Sequence, residues 1–252
     1  MFELTSKLFY TLGYIIALAF FFTKFKSAKN IFTKEKHSKQ DIFLLSIFFS
    51  GLAILGTFVG IDYKGAIVNT RNIGIIVGGM LSGPEVAIIS AFVAGIHRLF
   101  INFDSITAIP CAISTILGGF ITCFLFKKAT NKNRYMFGFI GGALVESLSM
   151  LLILLLTPDK TLAQDIVKNL YLPMVLINGL GISIVIIITE GILEEREKEA
   201  GTQARLALEI ANKTLPFFKK GADLNSVCKI VLDSLNAQIV VITDKKNILA
   251  SS

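Results

Sequence analysis

Val68 to Phe100, VNTRNIGIIVGGMLSGPEVAIISAFVAGIHRLF, is the stretch that leaves this chain the fewest options. It reads as two apolar helices joined by Ser82-Gly83-Pro84-Glu85, a turn because Gly and Pro break the helix. Both helices are too hydrophobic for a protein surface. An arginine stands near each outer end: Arg71 one turn into the first helix, Arg98 one turn before the end of the second. A cation in hydrocarbon is costly and needs a reason, so function is sought around these two side chains.

Composition agrees with a membrane setting. Of 252 residues 53% are hydrophobic and 17% charged, and mean hydropathy is +0.69. That describes an all-α polytopic membrane protein with a small soluble end. The net charge of +7 does not call for nucleic acid. The basic residues sit in loops beside apolar segments, as the positive-inside rule requires. Cys111 and Cys123 share one apolar helix, and Cys228 lies in the polar tail. They show neither a pairing pattern nor a metal spacing, so free thiols are expected. No metal, cofactor or catalytic residue is expected.

Hydropathy divides the chain into seven spans: Leu8 to Phe22, Ile42 to Val59, Ala66 to Leu81, Val86 to Ile101, Ile106 to Phe126, Met136 to Leu156 and Tyr171 to Thr189. Lys24, Lys26, Lys29, Lys34, Lys36 and Lys39 follow the first; Lys127, Lys128, Lys132 and Arg134 follow the fifth. Both runs fall on one side, the cytoplasmic one. The N-terminus is then outside, the C-terminus cytoplasmic, and the location is the plasma membrane. The first span is not a signal peptide, because its positive charge follows it and no small-residue cleavage site does. Gly60 to Lys64, Asn102 to Ser105 and Thr157 to Lys168 are outer connections. The third and fourth spans are short for a core of about 30 Å, so a re-entrant hairpin is the alternative.

Beyond Glu190 the chain turns polar and helical. Ala200, Ala204, Ala207 and Ala211 recur at spacings of four, three and four. They form a narrow seam suited to a parallel dimeric signalling helix, or to packing on a domain. Asp223 to Leu235 reads as an amphipathic helix, Gln238 to Thr243 as a buried strand and Asp244 to Asn247 as a turn. These few elements cannot close a core, so an incomplete domain and a longer parent protein are expected.

The runs NTRNIGIIVGG, LSGPEVAIISAFVAGIHR and AIPCAISTILGGF resemble the membrane receptor domain of the LytS family of sensor histidine kinases. TQARLALEIANKTLPFFKKG and AQIVVITDKKNILA resemble that family's linker and the start of its GAF domain, an α/β fold. The resemblance implies a receptor domain over 1–190, a signalling helix over 191–220 and a truncated GAF domain over 221–252. It implies a two-component sensor, a homodimer acting on a cytoplasmic response regulator through a kinase region. Neither the phospho-accepting histidine nor the ATP-binding glycine boxes occur in this chain, and His37 and His97 do not fit a phospho-acceptor region.

The candidate site follows from the residues. Arg71 falls about 7–8 Å deep from the outer start of its helix. Arg98 is at a similar or shallower depth. Cys111 and Ser114, at i and i+3, share a face in the same layer. An arginine offers a permanently charged planar fork to a carboxylate. Arg71, Arg98, Cys111 and Ser114 thus suit a small anion entering from outside. Pyruvate-like carboxylates fit, and they match what members of the resembled family sense. Snorkelling to the headgroups, or an internal ion pair, are the alternatives. Glu146 is the partner for such a pair. It lies deeper, on the face of Gly138 and Gly142, and suits a neutral carboxyl hydrogen-bonded between helices or a proton-sensitive switch. Asn69 reads as a cap or orienting group, and His97 as structural or titrating near neutrality. Gly74 and Gly78, Ala91 and Gly95, and Thr115 and Gly119 are spaced for close helix packing.

The function expected is signal input: an outer ligand or a change in membrane state shifts helix packing, with the output linked by resemblance to cell-wall turnover or carboxylate uptake. The competing class is a transporter or its substrate-binding subunit. Against it stand the signalling-type linker and the lack of an inverted repeat.

Overall fold

The computed structural model describes residues 2–24, 31, 34, 36–101, 105–219, 223–244 and 247–252. Most of the lysine-rich stretch after the first helix, and Asn102 to Asp104, lie outside the described residues. Contacts divide the chain into two compact units, Met1–Leu193 and Glu194–Ser252.

The first unit is helical. Helix α1 covers Phe2–Lys24 and α2 covers Lys39–Phe58. A capping box starts α2. The Ser38 hydroxyl accepts the Asp41 N–H at 3.2 Å, and the Asp41 carboxylate accepts the Ser38 N–H at 2.8 Å. Lys34 binds the same carboxylate at 2.8 Å.

A β-hairpin follows, Ile61–Tyr63 (β1) paired antiparallel with Ala66–Val68 (β2). Its two-residue turn has φ of 53° at Lys64 and 83° at Gly65, the left-handed pair of a type I′ turn. The sequence reading put the start of a helix at Ala66; the structure corrects it. Ala-Ile-Val is a short apolar run, ambiguous by periodicity, and Lys64-Gly65 before it settles it as a strand. In consequence helix α3 runs Arg71–Ser82, and Arg71 is its first residue, not a full turn in. At 12 residues α3 is about 18 Å long. That is short of a bilayer core of about 30 Å, so the full-length third span is not present.

Helix α3 is the axis of the unit. Every residue but Leu81 is buried, and it touches α2, α4 (Pro84–Ile101), α5 (Ala108–Phe126) and α6 (Arg134–Leu156). Small residues permit this, as their spacing predicts. A Cβ on Gly74 would lie 2.7 Å from the Ala53 nitrogen and 2.9 Å from the Phe49 carbonyl. A Cβ on Gly95 would sit 3.2 Å from the Ala112 carbonyl, and Gly119 meets Ala91 and the Ala87 carbonyl. Helix α7, Lys160–Lys219, begins earlier than expected, so the connection expected over Thr157 to Lys168 shrinks to Thr157 to Asp159. The Asp159 carboxylate accepts the Thr161 hydroxyl and the Thr161 and Leu162 N–H groups, which starts the helix there. At its facing position, Gly142 of α6 approaches Gly179 of α7.

Among the described residues five helices are long and apolar enough to cross a membrane: α2, α4, α5, α6 and the apolar part of α7. A shorter apolar stretch, Phe9–Leu18, lies in α1.

The second unit contains the far part of α7, then α8 (Leu224–Leu235) and a hairpin of β3 (Val241–Thr243) with β4 (Ile248–Ser251). Asp223 caps α8, and Asn236, at φ 49°, ends it. The Ser226 hydroxyl donates to Asp223 and holds its carboxyl below the usual aspartate range. Ala200, Ala204, Ala207 and Ala211 are exposed.

Candidate functional site

The β-hairpin, the start of α3 and the ends of α5, α6 and α7 enclose a cavity of about 30 Å³. That is room for roughly two waters, so a larger ligand enters only if the walls move apart. Its polar wall is Asn69, Arg71, Asn72, Thr107, Cys111, Glu146 and Ser149. Its apolar wall comes from Met150 and Ile153 of α6 and Ile166, Leu170 and Met174 of α7. Ala66, Ile67 and Val68 close one side.

Arg71 is 2% exposed. Nε donates to the Thr115 hydroxyl at 2.9 Å, and Nη2 reaches the Cys111 carbonyl at 3.4 Å. Nη1 is buried with no partner. The Cys111 carbonyl also accepts the Thr115 and Ser114 hydroxyls, at 2.6 and 3.0 Å. Asn69 orients the helix start, as its position suggested: its Oδ1 accepts the Arg71 N–H at 3.2 Å. Gly56 lets α2 close on this point, since a Cβ there would be 3.0 Å from the Arg71 nitrogen.

Arg98 is fully buried and donates through Nη2 to Ser105 and Thr107, each at 3.3 Å. Its Nε and Nη1 have no partner. Thr107 lines the cavity, so Arg98 stands behind that wall. Ser105 in turn donates to the Gly65 carbonyl at 2.8 Å, tying Arg98 to the hairpin turn. The other side of that turn is clasped to α7 by Lys64 and Asp165 at 2.7 Å. This bond holds the Lys64 ammonium above the usual lysine range.

The sequence separated Glu146 from the arginine site; the structure places it in the same cavity. Asn72 makes the difference, donating to Glu146 at 2.7 Å. The position of Asn72, one residue after Arg71 on α3, was the available signal. Among the described residues no carboxylate lies within 4.0 Å of Arg71 or Arg98, so neither forms an internal ion pair. Ser114 is one layer back, accepting a hydrogen bond from Ser149 at 2.7 Å. His97 does not line the cavity; its ring packs on Phe58 at 5.3 Å. Thr107, Thr115 and Ser149 carry contacts that sequence reasoning did not assign. The cavity wall thus holds one buried guanidinium, that of Arg71, whose Nη1 has no partner, with that of Arg98 behind it.

Comparison with known proteins supplies the context. Residues 25–192 match the family model described as the 5TMR of 5TMR-LYT. The sensor histidine kinase YpdA of Escherichia coli (strain K12) is 34% identical over 99% of this chain and 44% of its own length. The sensor protein LytS of Bacillus cereus is 32% identical over 99% of the chain and 45% of its own length. LytS of Bacillus subtilis (strain 168) is 31% identical over 94% and 43%. The chain thus spans less than half the length of these relatives. No solved structure matches it.

Proposed function

The chain belongs to the 5TMR-LYT family of multi-pass membrane sensor domains, and on that premise we propose that it is a receptor for a small extracellular carboxylate such as pyruvate. Arg71 meets the carboxylate in a wall shared with Cys111 and Asn69, while Arg98 acts from behind Thr107 and Ser114 from behind Ser149. The observation that carries this reading is the set of buried guanidinium N–H groups without acceptors, Nη1 of Arg71 and Nε and Nη1 of Arg98. Buried charged donors are costly unless something accepts from them, and a carboxylate does so in their own geometry.

The N-terminus is placed outside and the C-terminus in the cytoplasm, with α1 as a further crossing and α3 as a half-length pass. Helix α7 carries the signal to a homodimer formed along the alanine seam, and residues 221–252 begin a GAF domain. The output passes to a kinase region and a response regulator, controlling cell-wall turnover or carboxylate uptake. A ligand does this only by binding two signalling states with different affinity.

The test is calorimetric titration of pyruvate into the purified chain in lipid nanodiscs. Binding is expected, with Arg71→Gln and Arg98→Gln each weakening it about tenfold or more, the worth of one to two charged hydrogen bonds. Affinity unchanged from the unsubstituted chain in both variants refutes the site. Pyruvate uptake by vesicles carrying the protein assigns it to the transporter class instead.

A further inference from the structure

This inference rests on the anion site just proposed and concerns its charge. We propose that Glu146, held by Asn72, is a fixed counter-charge that makes the cavity select small monoanions over dianions of the same size. Among the described residues the buried acids are Asp41 and Glu146, and the buried arginines are Arg71 and Arg98. Asp41 is already paired with Lys34. Two arginines and one carboxyl are left in the region of the cavity.

Their arrangement keeps that carboxyl off the arginines. Glu146 lines the same cavity as Arg71 but is held by the Asn72 amide at 2.7 Å, with no guanidinium among the described residues within 4.0 Å. Both line the cavity, and Nη1 of Arg71 keeps no partner of its own. A bound monoanion brings the three groups and the ligand to neutrality. A dianion leaves one excess negative charge in a low-dielectric interior, where it is strongly disfavoured. It binds only if Glu146 takes up a proton. Among the described residues the charged and titratable groups that line the cavity with Glu146 are Arg71 on α3 and Cys111 on α5, while Arg98 and His97 of α4 do not line it. The α7 wall, Ile166, Leu170 and Met174, adds none.

Pyruvate, oxamate and oxalate have equal numbers of non-hydrogen atoms; the first two are monoanions and the third a dianion. Each is titrated calorimetrically into the full chain in nanodiscs, in two buffers of different ionisation enthalpy. Pyruvate and oxamate are expected to bind without net proton exchange. Oxalate is expected to bind roughly tenfold or more weakly and with proton uptake. Glu146→Gln keeps the Asn72 bond through its side-chain carbonyl. It is expected to shift the ratio toward oxalate by about tenfold or more and to abolish the proton uptake. An unchanged monoanion-to-dianion ratio in Glu146→Gln, while Arg71→Gln still loses pyruvate, overturns the counter-charge alone. Failure of the wild-type chain to bind any of the three overturns the anion site itself. Should Glu146→Gln not fold, equal affinities for pyruvate and oxalate with no proton uptake in the wild-type chain overturn the proposal.

Discussion

Replacing Arg71 by methionine separates a binding arginine from a structural one. The substitution removes a hydrogen bond at 2.9 Å to Thr115 and a longer one at 3.4 Å to the Cys111 carbonyl. Bonds from a charged donor are worth about 1.5–3 kcal/mol each, the longer one less. Neither acceptor is orphaned. The Cys111 carbonyl keeps the Thr115 and Ser114 hydroxyls, and the Thr115 hydroxyl keeps its own bond to that carbonyl. Against the loss stands the relief of a buried guanidinium that, among the described residues, has no carboxylate within 4.0 Å, an effective penalty of several kcal/mol. The two terms cancel or favour the variant. The expected outcome is an apo protein with unfolding temperature unchanged or raised, and pyruvate affinity lost. Thermal unfolding in nanodiscs and calorimetry on the same preparation read both. A drop of more than about 5 °C, roughly 2 kcal/mol at this size, with pyruvate binding retained, would refute the reasoning.

Two further outcomes test the framework around the site. Gly74→Val places atoms where even a Cβ is 2.7 Å from the Ala53 backbone. It is expected to cost about 1–3 kcal/mol by overpacking, seen as a lower unfolding temperature, and to weaken pyruvate binding by moving the start of α3. In the second unit, the depressed Asp223 carboxyl contributes stability above the usual aspartate value that is lost as pH falls through its folded value. Protection of the first turn of α8, measured relative to the intrinsic exchange rate at each pH, is expected to fall with acidification and to be low at every pH in Asp223→Ala.

How much of this was legible beforehand differs by residue. Hydropathy and the lysine runs outlined most helices, because bilayer length leaves few choices. Small-residue spacing anticipated the contacts at Gly74 and Gly119. The hairpin was missed because Ala66, Ile67 and Val68 are as apolar as the helix they precede. With it went the position of Arg71. Glu146 was set apart because depth along a helix was read without knowing which helix faces which. The packing of α6 on α3, and the Asn72 bond that comes with it, exist only in three dimensions. Thr107, Thr115 and Ser149 are ordinary residues by sequence, and only their partners mark them.

The two arginines stand at opposite ends of their helices, and this gives them different structural worth. Arg98 lies in the last turn of α4, where a cation complements the negative end of the helix by about 0.3–1 kcal/mol. It also ties Ser105 and Thr107, and through Ser105 the hairpin turn. Arg71 is the first residue of α3, where the same dipole repels it. The Thr70 hydroxyl beside it caps nothing and is buried without a partner. A fold selected for stability alone gains nothing from a buried cation there. An anion, by contrast, is attracted at once by the guanidinium and by the helix end, as at the broken helices of membrane binding sites. Arg98→Met is therefore expected to lower both the unfolding temperature and pyruvate affinity, whereas Arg71→Met lowers affinity alone. If both variants lose stability equally, Arg71 is a packing element and the difference in helix position has no functional meaning.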